Sequence, residues 1–135
     1  MSETGTRLRD VYITGVGAHL PGPPVGPERM EDHIGRVHGR GSVVGRRALR
    51  WNGIETRHYA MAADGTVLDT NAGMTAKAVA AALDDAGLGL GDLKHLATAT
   101  TQGDYLVPGH AAAVQAELGA GRWRSPATSR SAPRP

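Results

Sequence analysis

Apolar residues recur along the chain in two patterns, one typical of helices and one typical of buried strands. From Asn71 to Leu88 they are spaced three to five positions apart and form one stripe, which predicts an amphipathic helix. The stripe consists of Met74, Ala78, Val79, Ala82, Leu83 and Ala86. Thr70 or Asn71 is suited to cap the start of this helix. Gly87 is suited to a left-handed position after its end, with Leu88 making the apolar contact that follows.

Two short apolar runs on either side of this helix predict buried strands. They are Val11–Gly17, which is rich in β-branched residues, and Leu96–Thr100. A helix between two strands favours a parallel pair with a right-handed crossover, so the pattern indicates an α/β fold. Shorter helices are predicted at Glu28–Ile34 and at Pro108–Leu118, where proline suits the first turn.

The segment Arg36–Arg50 is rich in arginine and contains no acidic residue. It supports two interpretations. It is either a solvated loop or frayed helix whose charges face water, or a phosphate-facing surface, because guanidinium groups match phosphate oxygens bidentately.

Composition limits the core and the chemistry. The chain has 19 Gly, no Phe, two Trp and three Tyr, so its core depends on Val, Ile, Leu and Ala and is expected to be marginal unless another surface covers it. It has no Cys, which excludes disulfides, thiolate metal sites and a cysteine nucleophile in this chain. Its basic charge comes from the end of the sequence, since all 13 acidic residues precede Arg122.

These features predict three parts: a polar leader at residues 1–10, a domain at residues 11–119 and an Arg/Pro-rich, disordered tail at residues 120–135. The start of the chain has no apolar run typical of a signal peptide, and no stretch approaches the roughly 20 apolar residues of a membrane span. We therefore expect a soluble cytoplasmic protein without a membrane partner. The slightly acidic body argues against nucleic acid as a partner.

Common motifs of enzymes are incomplete here. Gly15 and Gly17 follow a predicted strand, but Leu20 occupies the third glycine position of a dinucleotide-binding loop. The six histidines lack the spacing of metal ligands, so no metal is expected. No G-x-S-x-G elbow is present.

Four stretches, taken in order, resemble the start of β-ketoacyl-acyl-carrier-protein synthase III over roughly residues 10–119. They read VYITGVGAHLPG, NGIETRHYA, MTAKAVAAALDDAGL and LATATTQGDYLVPGHAAAVQAELG. The resemblance implies an incomplete N-terminal half of a thiolase-like fold, with α/β/α layers and a homodimer in the intact family. It also implies decarboxylative condensation of an acyl thioester with malonyl-acyl-carrier protein. Coenzyme A thioester and acyl carrier protein are then the expected partners, and no cofactor is bound permanently.

The resemblance places part of a coenzyme A nucleotide site near Arg47, Arg50, Trp51 and Arg57. Family members often flank the adenine with a Trp and an Arg. Here Trp51 stands where Arg is usual, and Arg47 stands where Trp is usual. The alternative is that Trp51 is a core residue.

The resemblance also assigns the loop from Thr101 to Pro108 to the partner's acyl pocket across the dimer. Val107 replaces a larger residue often found there, which predicts a pocket for bulkier acyl groups.

The family's catalytic Cys, His and Asn have no counterpart here, so the chain is expected to be inactive as written. One hypothesis for the tail is a frameshift, because permitted codons around Trp123 and Ser131 encode Leu-Glu-Val and Val-Cys in a neighbouring frame. Two alternative functions stay open. One is a non-catalytic module that docks on an intact condensing subunit, and the other is a basic nucleic-acid-binding protein.

Overall fold

A computed structural model describes residues 10–36 and 39–119 of the chain. Four α-helices occur in these ranges: α1 (Met30–Ile34), α2 (Val43–Trp51), α3 (Asn71–Asp85) and α4 (His110–Glu117). Short 3-10 helices span Pro27–Arg29 and Leu90–Asp92. The predicted leader, apart from Asp10, and the predicted tail with its frameshift lie outside the described residues.

The long helix α3 begins and ends as the sequence predicts. The Thr70 hydroxyl accepts a hydrogen bond from the backbone N–H of Gly73 at 2.9 Å, which caps the first turn. At the other end Gly87 has a φ of 66°. Its N–H donates to Asp84 O, and the N–H of Leu88 donates to Leu83 O. Both ends are therefore fixed by local sequence.

The principal apolar core lies between α3 and α4. Ala72 and Ala76 of α3 and Val114 of α4 are buried, and Val114 is completely inaccessible. Three half-buried residues pack around them: Leu96, Ala113 and Leu118. Small side chains let the two helices approach closely, but they bury little apolar area each.

The helix predicted from Pro108 starts later than expected. Helix α4 begins at His110, and Pro108 lies two residues before it, after a cis peptide bond with Val107. The proline thus precedes the helix instead of occupying its first turn.

The predicted strands Val11–Gly17 and Leu96–Thr100 do not form a sheet, so the α/β prediction is correct for the helices and wrong for the strands within the described residues. No backbone–backbone hydrogen bond joins either segment to another described one. A strand needs a neighbour for its N–H and C=O groups. The layered thiolase-like arrangement is accordingly not confirmed for residues 10–119.

The first of these segments lies on α3 through its glycines. A Cβ added at Gly15 or Gly17 would collide with the backbone of α3 around Ala82. The N–H of Val16 donates to the Asp85 carboxylate at 3.0 Å. The segment's large apolar side chains remain largely exposed: Val11, Tyr12, Ile13 and Val16.

A second region, residues 25–57, is called the arm below and contains α1 and α2. Val25 and Arg57 pair as an isolated antiparallel bridge, with backbone N···O distances of 2.8 and 2.9 Å. The arginine-rich segment, for which a loop or frayed helix was one interpretation, forms the regular helix α2 from Val43 onward. Residues 37 and 38 of this segment lie outside the described ranges.

Within the described ranges, every helix is too short or too polar to cross a bilayer.

Candidate functional site

Helix α2 presents a charged and aromatic face to solvent. Arg47, Arg50 and Trp51 are spaced i, i+3 and i+4, so they lie on one side of the helix. All three are exposed, and Trp51 is 87% exposed. Val43 and Val44, one turn earlier, are exposed on the same side. We call this set the α2 face. The interpretation of Trp51 as a core residue is wrong.

The opposite side of α2 faces the rest of the arm. Leu49 is buried, and Gly45 lies against the end of the Met30 side chain of α1. Ser42 caps the helix by accepting a hydrogen bond from the N–H of Gly45 at 2.9 Å. These contacts fix the rotation of α2, so Arg47, Arg50 and Trp51 point outward together.

Two glutamates anchor the helix electrostatically. Glu31 accepts hydrogen bonds from the backbone N–H of Ser42 and from the Arg46 guanidinium, both at 2.7 Å. The bond from Ser42 is the main reason that the pKa of Glu31 lies below its ordinary value. Glu28 pairs with Arg50 at 3.0 Å at the edge of the α2 face.

Arg47 is the cation at the centre of the α2 face. Among the described residues it has no carboxylate within ion-pair distance, whereas Arg46 and Arg50 each have one. A guanidinium beside an indole can hold an anionic aromatic ligand by charge and by stacking. The face therefore has the chemistry for a nucleotide.

Arg57 is separated from these residues in sequence and in local structure. It follows the left-handed turn at Gly53, and its backbone pairs with Val25. Its side chain is exposed on the segment after α2. The structure thus groups three of the four predicted nucleotide-site residues on one helix face and places the fourth on a neighbouring segment.

The loop from Thr101 to Pro108 is anchored at its base and exposed at its tip. Asp104 accepts hydrogen bonds from the backbone N–H groups of Asn71 and Ala72, at 2.9 and 2.8 Å. These bonds, with the one from Ala72 first, lower the pKa of Asp104. Thr101 is exposed near the base.

The tip of this loop is apolar. Leu106 is 99% exposed and Val107 is 86% exposed, with Tyr105 beside them. Tyr105 and Val107 border an open groove of about 400 Å³ whose floor is formed by small residues of α3 and α4. A rigid base and an exposed apolar tip suit a loop that contacts another molecule.

A polar cluster on Asp69 was not predicted from the sequence. Lys77 Nζ lies 2.5 Å and His19 Nε2 lies 2.9 Å from the same oxygen of Asp69. The bond from Lys77 is the largest cause of the lowered pKa of Asp69, with a smaller effect from His19. Fifty positions separate His19 from Asp69, so no local pattern could reveal the contact. The eight-residue spacing from Asp69 to Lys77 was visible but not diagnostic.

The described residues contain no group of three or more His, Cys, Asp or Glu side chains that could hold a metal ion.

The chain is similar to curated proteins of one name over most of its own length. The chain is 36% identical over 107 residues to β-ketoacyl-[acyl-carrier-protein] synthase III of Rhodobacter capsulatus. It is 37% identical over the same length to the enzyme of that name from Cereibacter sphaeroides strain ATH 2.4.9. Each match covers 79% of this chain. The resemblance to synthase III is confirmed.

The similarity has a limited extent. It covers 29% of each synthase III, so the chain spans less than a third of the length of these relatives. No protein-family model matches the chain. The activity of the full-length enzymes is therefore only a proposal for this chain.

Proposed function

We propose that this chain is a segment of a condensing enzyme of the β-ketoacyl-acyl-carrier-protein synthase III type, with a thiolase-like fold when complete. Such an enzyme condenses an acyl thioester with malonyl-acyl-carrier protein in fatty-acid or polyketide biosynthesis. The observation that carries the proposal is the similarity at 36–37% identity to proteins of that name over 107 residues. The motifs at residues 10–119 agree with it.

The α2 face is the proposed binding site for the nucleotide of a coenzyme A thioester. In this sequence the Trp and the Arg stand in the opposite order to the one usual in the family. Because Arg47 and Trp51 are four residues apart on α2, exchanging them keeps both groups on the same side of the helix. The guanidinium and the indole therefore remain available to one ligand. Arg50 extends the cationic edge, and Arg57 is a peripheral contact.

The loop Thr101–Pro108 is the proposed contact with a partner subunit's acyl pocket. The hydrogen bonds of Asp104 fix its base on α3, and Val107 stands exposed at its tip. Valine is smaller than the residue usual in the family, so we propose a pocket that accepts bulkier acyl groups.

The chain by itself is proposed to bind without turnover. It has no cysteine to attack the acyl thioester, and the family's other catalytic residues have no counterpart in it. Our hypothesis for the absence of these residues is a tail produced by a frameshift. Sequencing the gene across the codons after Gly119 tests it, since the shifted frame should continue as a condensing enzyme.

Calorimetric titration with coenzyme A tests the nucleotide site. We expect Arg47→Ala and Trp51→Ala each to weaken binding about tenfold, because each removes an interaction with a partly desolvated ligand. Arg29→Ala is the matched control, since Arg29 is also exposed but lies outside the α2 face and pairs with Asp32. Equal losses of affinity for coenzyme A in all three variants would contradict the assignment of the nucleotide site to the α2 face.

A non-catalytic docking module is the second candidate function. The exposed apolar groups at Val11–Ile13 and Tyr105–Val107 favour association with another protein. Size-exclusion chromatography with an intact condensing subunit distinguishes this function, because co-elution that survives the Trp51→Ala change would support docking independently of nucleotide binding. Continued migration as separate species would refute it.

A further inference from the structure

Asn52 is followed by Gly53 at the point where α2 ends. The backbone nitrogen of the next residue can attack the side-chain amide of an asparagine, and glycine offers the least steric protection because it has no Cβ. The other asparagine of the sequence, Asn71, is followed by Ala72. Asn52 is thus the asparagine with the more reactive neighbour.

The folded end of α2 blocks this attack. The N–H of Gly53 donates to Arg50 O at 3.1 Å, and the N–H of Ile54 donates to Leu49 O at 2.9 Å. Asn52 has a ψ of 6°, which turns the nitrogen of Gly53 away from the Asn52 side chain. Ring closure requires that nitrogen to rotate toward Cβ, and this rotation breaks the hydrogen bond to Arg50.

We propose that Asn52 is a site of deamidation. The last turn of α2 protects it, and it reacts when that turn opens. The backbone nitrogen of Gly53 loses its proton to hydroxide and forms a bond to Cγ of Asn52. The bond from Cγ to Nδ2 breaks, and ammonia leaves with a proton from water. Water then opens the cyclic imide at either carbonyl, giving aspartate or isoaspartate with one new carboxylate and no change in oxidation state.

The last turn of α2 is suited to the opening that this reaction needs. The helix has only nine residues, and the ion pair nearest its end, between Glu28 and Arg50, is exposed to solvent. Short helices of this kind open locally more readily than the core of a protein.

The new carboxylate at position 52 should destabilise the end of α2. A carboxylate at the C-terminus of a helix is disfavoured by the negative end of the helix dipole. It would also lie next to Arg50 and Trp51 and reduce the positive charge of the α2 face. Modification should therefore loosen α2 and weaken the binding of any anion there, whichever ligand the face binds; the proposal does not depend on the proposed function.

Asn71 serves as an internal control. Its side-chain amide donates to Thr100 Oγ1 at 2.8 Å and to Gln102 O at 2.5 Å. The backbone N–H of Ala72, the group that would have to attack, is held by Asp104. We expect Asn71 to remain unmodified in the folded protein.

Peptide mapping by mass spectrometry tests the proposal on the full-length protein at mildly alkaline pH, with and without urea. We expect Asn52 to convert about tenfold or more faster in urea than in the folded protein, because opening precedes reaction. Equal rates in the two conditions, or no conversion in urea, would overturn the proposal.

Glu31→Gln supplies the second arm of the test. It removes an anchor of α2 and leaves residues 50–54 unchanged, so it should raise the rate in the folded protein several-fold and leave the rate in urea unchanged. Ser42→Ala, which removes the helix cap, is the milder variant if Glu31→Gln unfolds the protein. If neither variant, while folded, converts Asn52 faster than the unchanged protein does, the proposal is also overturned.

Discussion

The α3–α4 pair and the arm are both helical, but different combinations of contacts hold them. In the pair, Ala72, Ala76 and Val114 form a dry contact. In the arm, the buried residues Val25, Met30 and Leu49 are supplemented by carboxylate–guanidinium bonds from Glu28 and Glu31 to α2. Apolar contacts resist salt and acid, whereas ion pairs respond to both.

This difference explains where the candidate site lies. A helix held partly by charge can leave an arginine and a tryptophan exposed, because its packing does not require an entirely apolar face. The α2 face is therefore located on the less protected region, as is usual for ligand-binding segments. The four predictions below test the contrast, beginning with the largest effect.

Truncating the core should have the largest effect. Val114→Ala should lower the free energy of unfolding by about 2 kcal/mol, through lost apolar burial and the cavity left behind. Urea denaturation followed by circular dichroism measures this change. Val107→Ala is the control, since Val107 is exposed and its truncation should change stability little. Comparable losses in the two variants would refute the assigned core.

Removing the inner anchor of the arm should have the next largest effect. Glu31→Gln weakens both the bond from the backbone of Ser42 and the ion pair with Arg46, so it should lower the melting temperature by a few degrees. Glu28→Gln should have a smaller effect, because the Glu28–Arg50 pair is exposed. The reverse order in thermal melts would show that Glu31 does not anchor α2.

Acid should destabilise the fold through the carboxylates with lowered pKa values. In Glu31, Asp69 and Asp104 the folded pKa lies below the ordinary value, so the unfolded protein binds more protons in acid. The stability they contribute is complete above the ordinary pKa values of 4.5 for Glu and 3.8 for Asp, and is lost as the pH falls through the folded values. Urea midpoints measured across this range should therefore fall with decreasing pH. A midpoint that rises toward acid would contradict this assignment.

Salt should have the smallest effect and should act on one region. Added sodium chloride screens the ion pairs of the arm, so amide hydrogen exchange should become faster in α2 and remain nearly unchanged in α4, which contributes no residue to the ion pairs found among the described residues. Uniform acceleration in both helices would mean that the two regions are not held differently.

The sequence predicted local structure better than contacts between distant segments. The limits of α3 followed from Thr70 and Gly87, whose effects reach only a few residues. Strand formation at Val11–Gly17 depends on a neighbouring strand, which no local pattern guarantees. Among the described residues, the neighbour of this segment is the helix α3, which it contacts through Gly15 and Gly17.

The candidate site was likewise predicted in part. Arg47, Arg50 and Trp51 were identified from the sequence, but their common face became evident only when α2 proved to be a helix. The arginines had obscured its amphipathic pattern, because Arg46 lies on the half-buried side and pairs with Glu31. Asp104 was missed as an anchor because it caps α3 from 33 positions away.

The most direct test of the central claim is a titration of the isotope-labelled protein with coenzyme A, followed by amide NMR shifts. Our account predicts that the largest shifts occur around Arg47 and Trp51 and in the indole N–H of Trp51, with little change in α3. Saturating coenzyme A that leaves α2 unperturbed, or shifts confined to the α3–α4 pair, would contradict it.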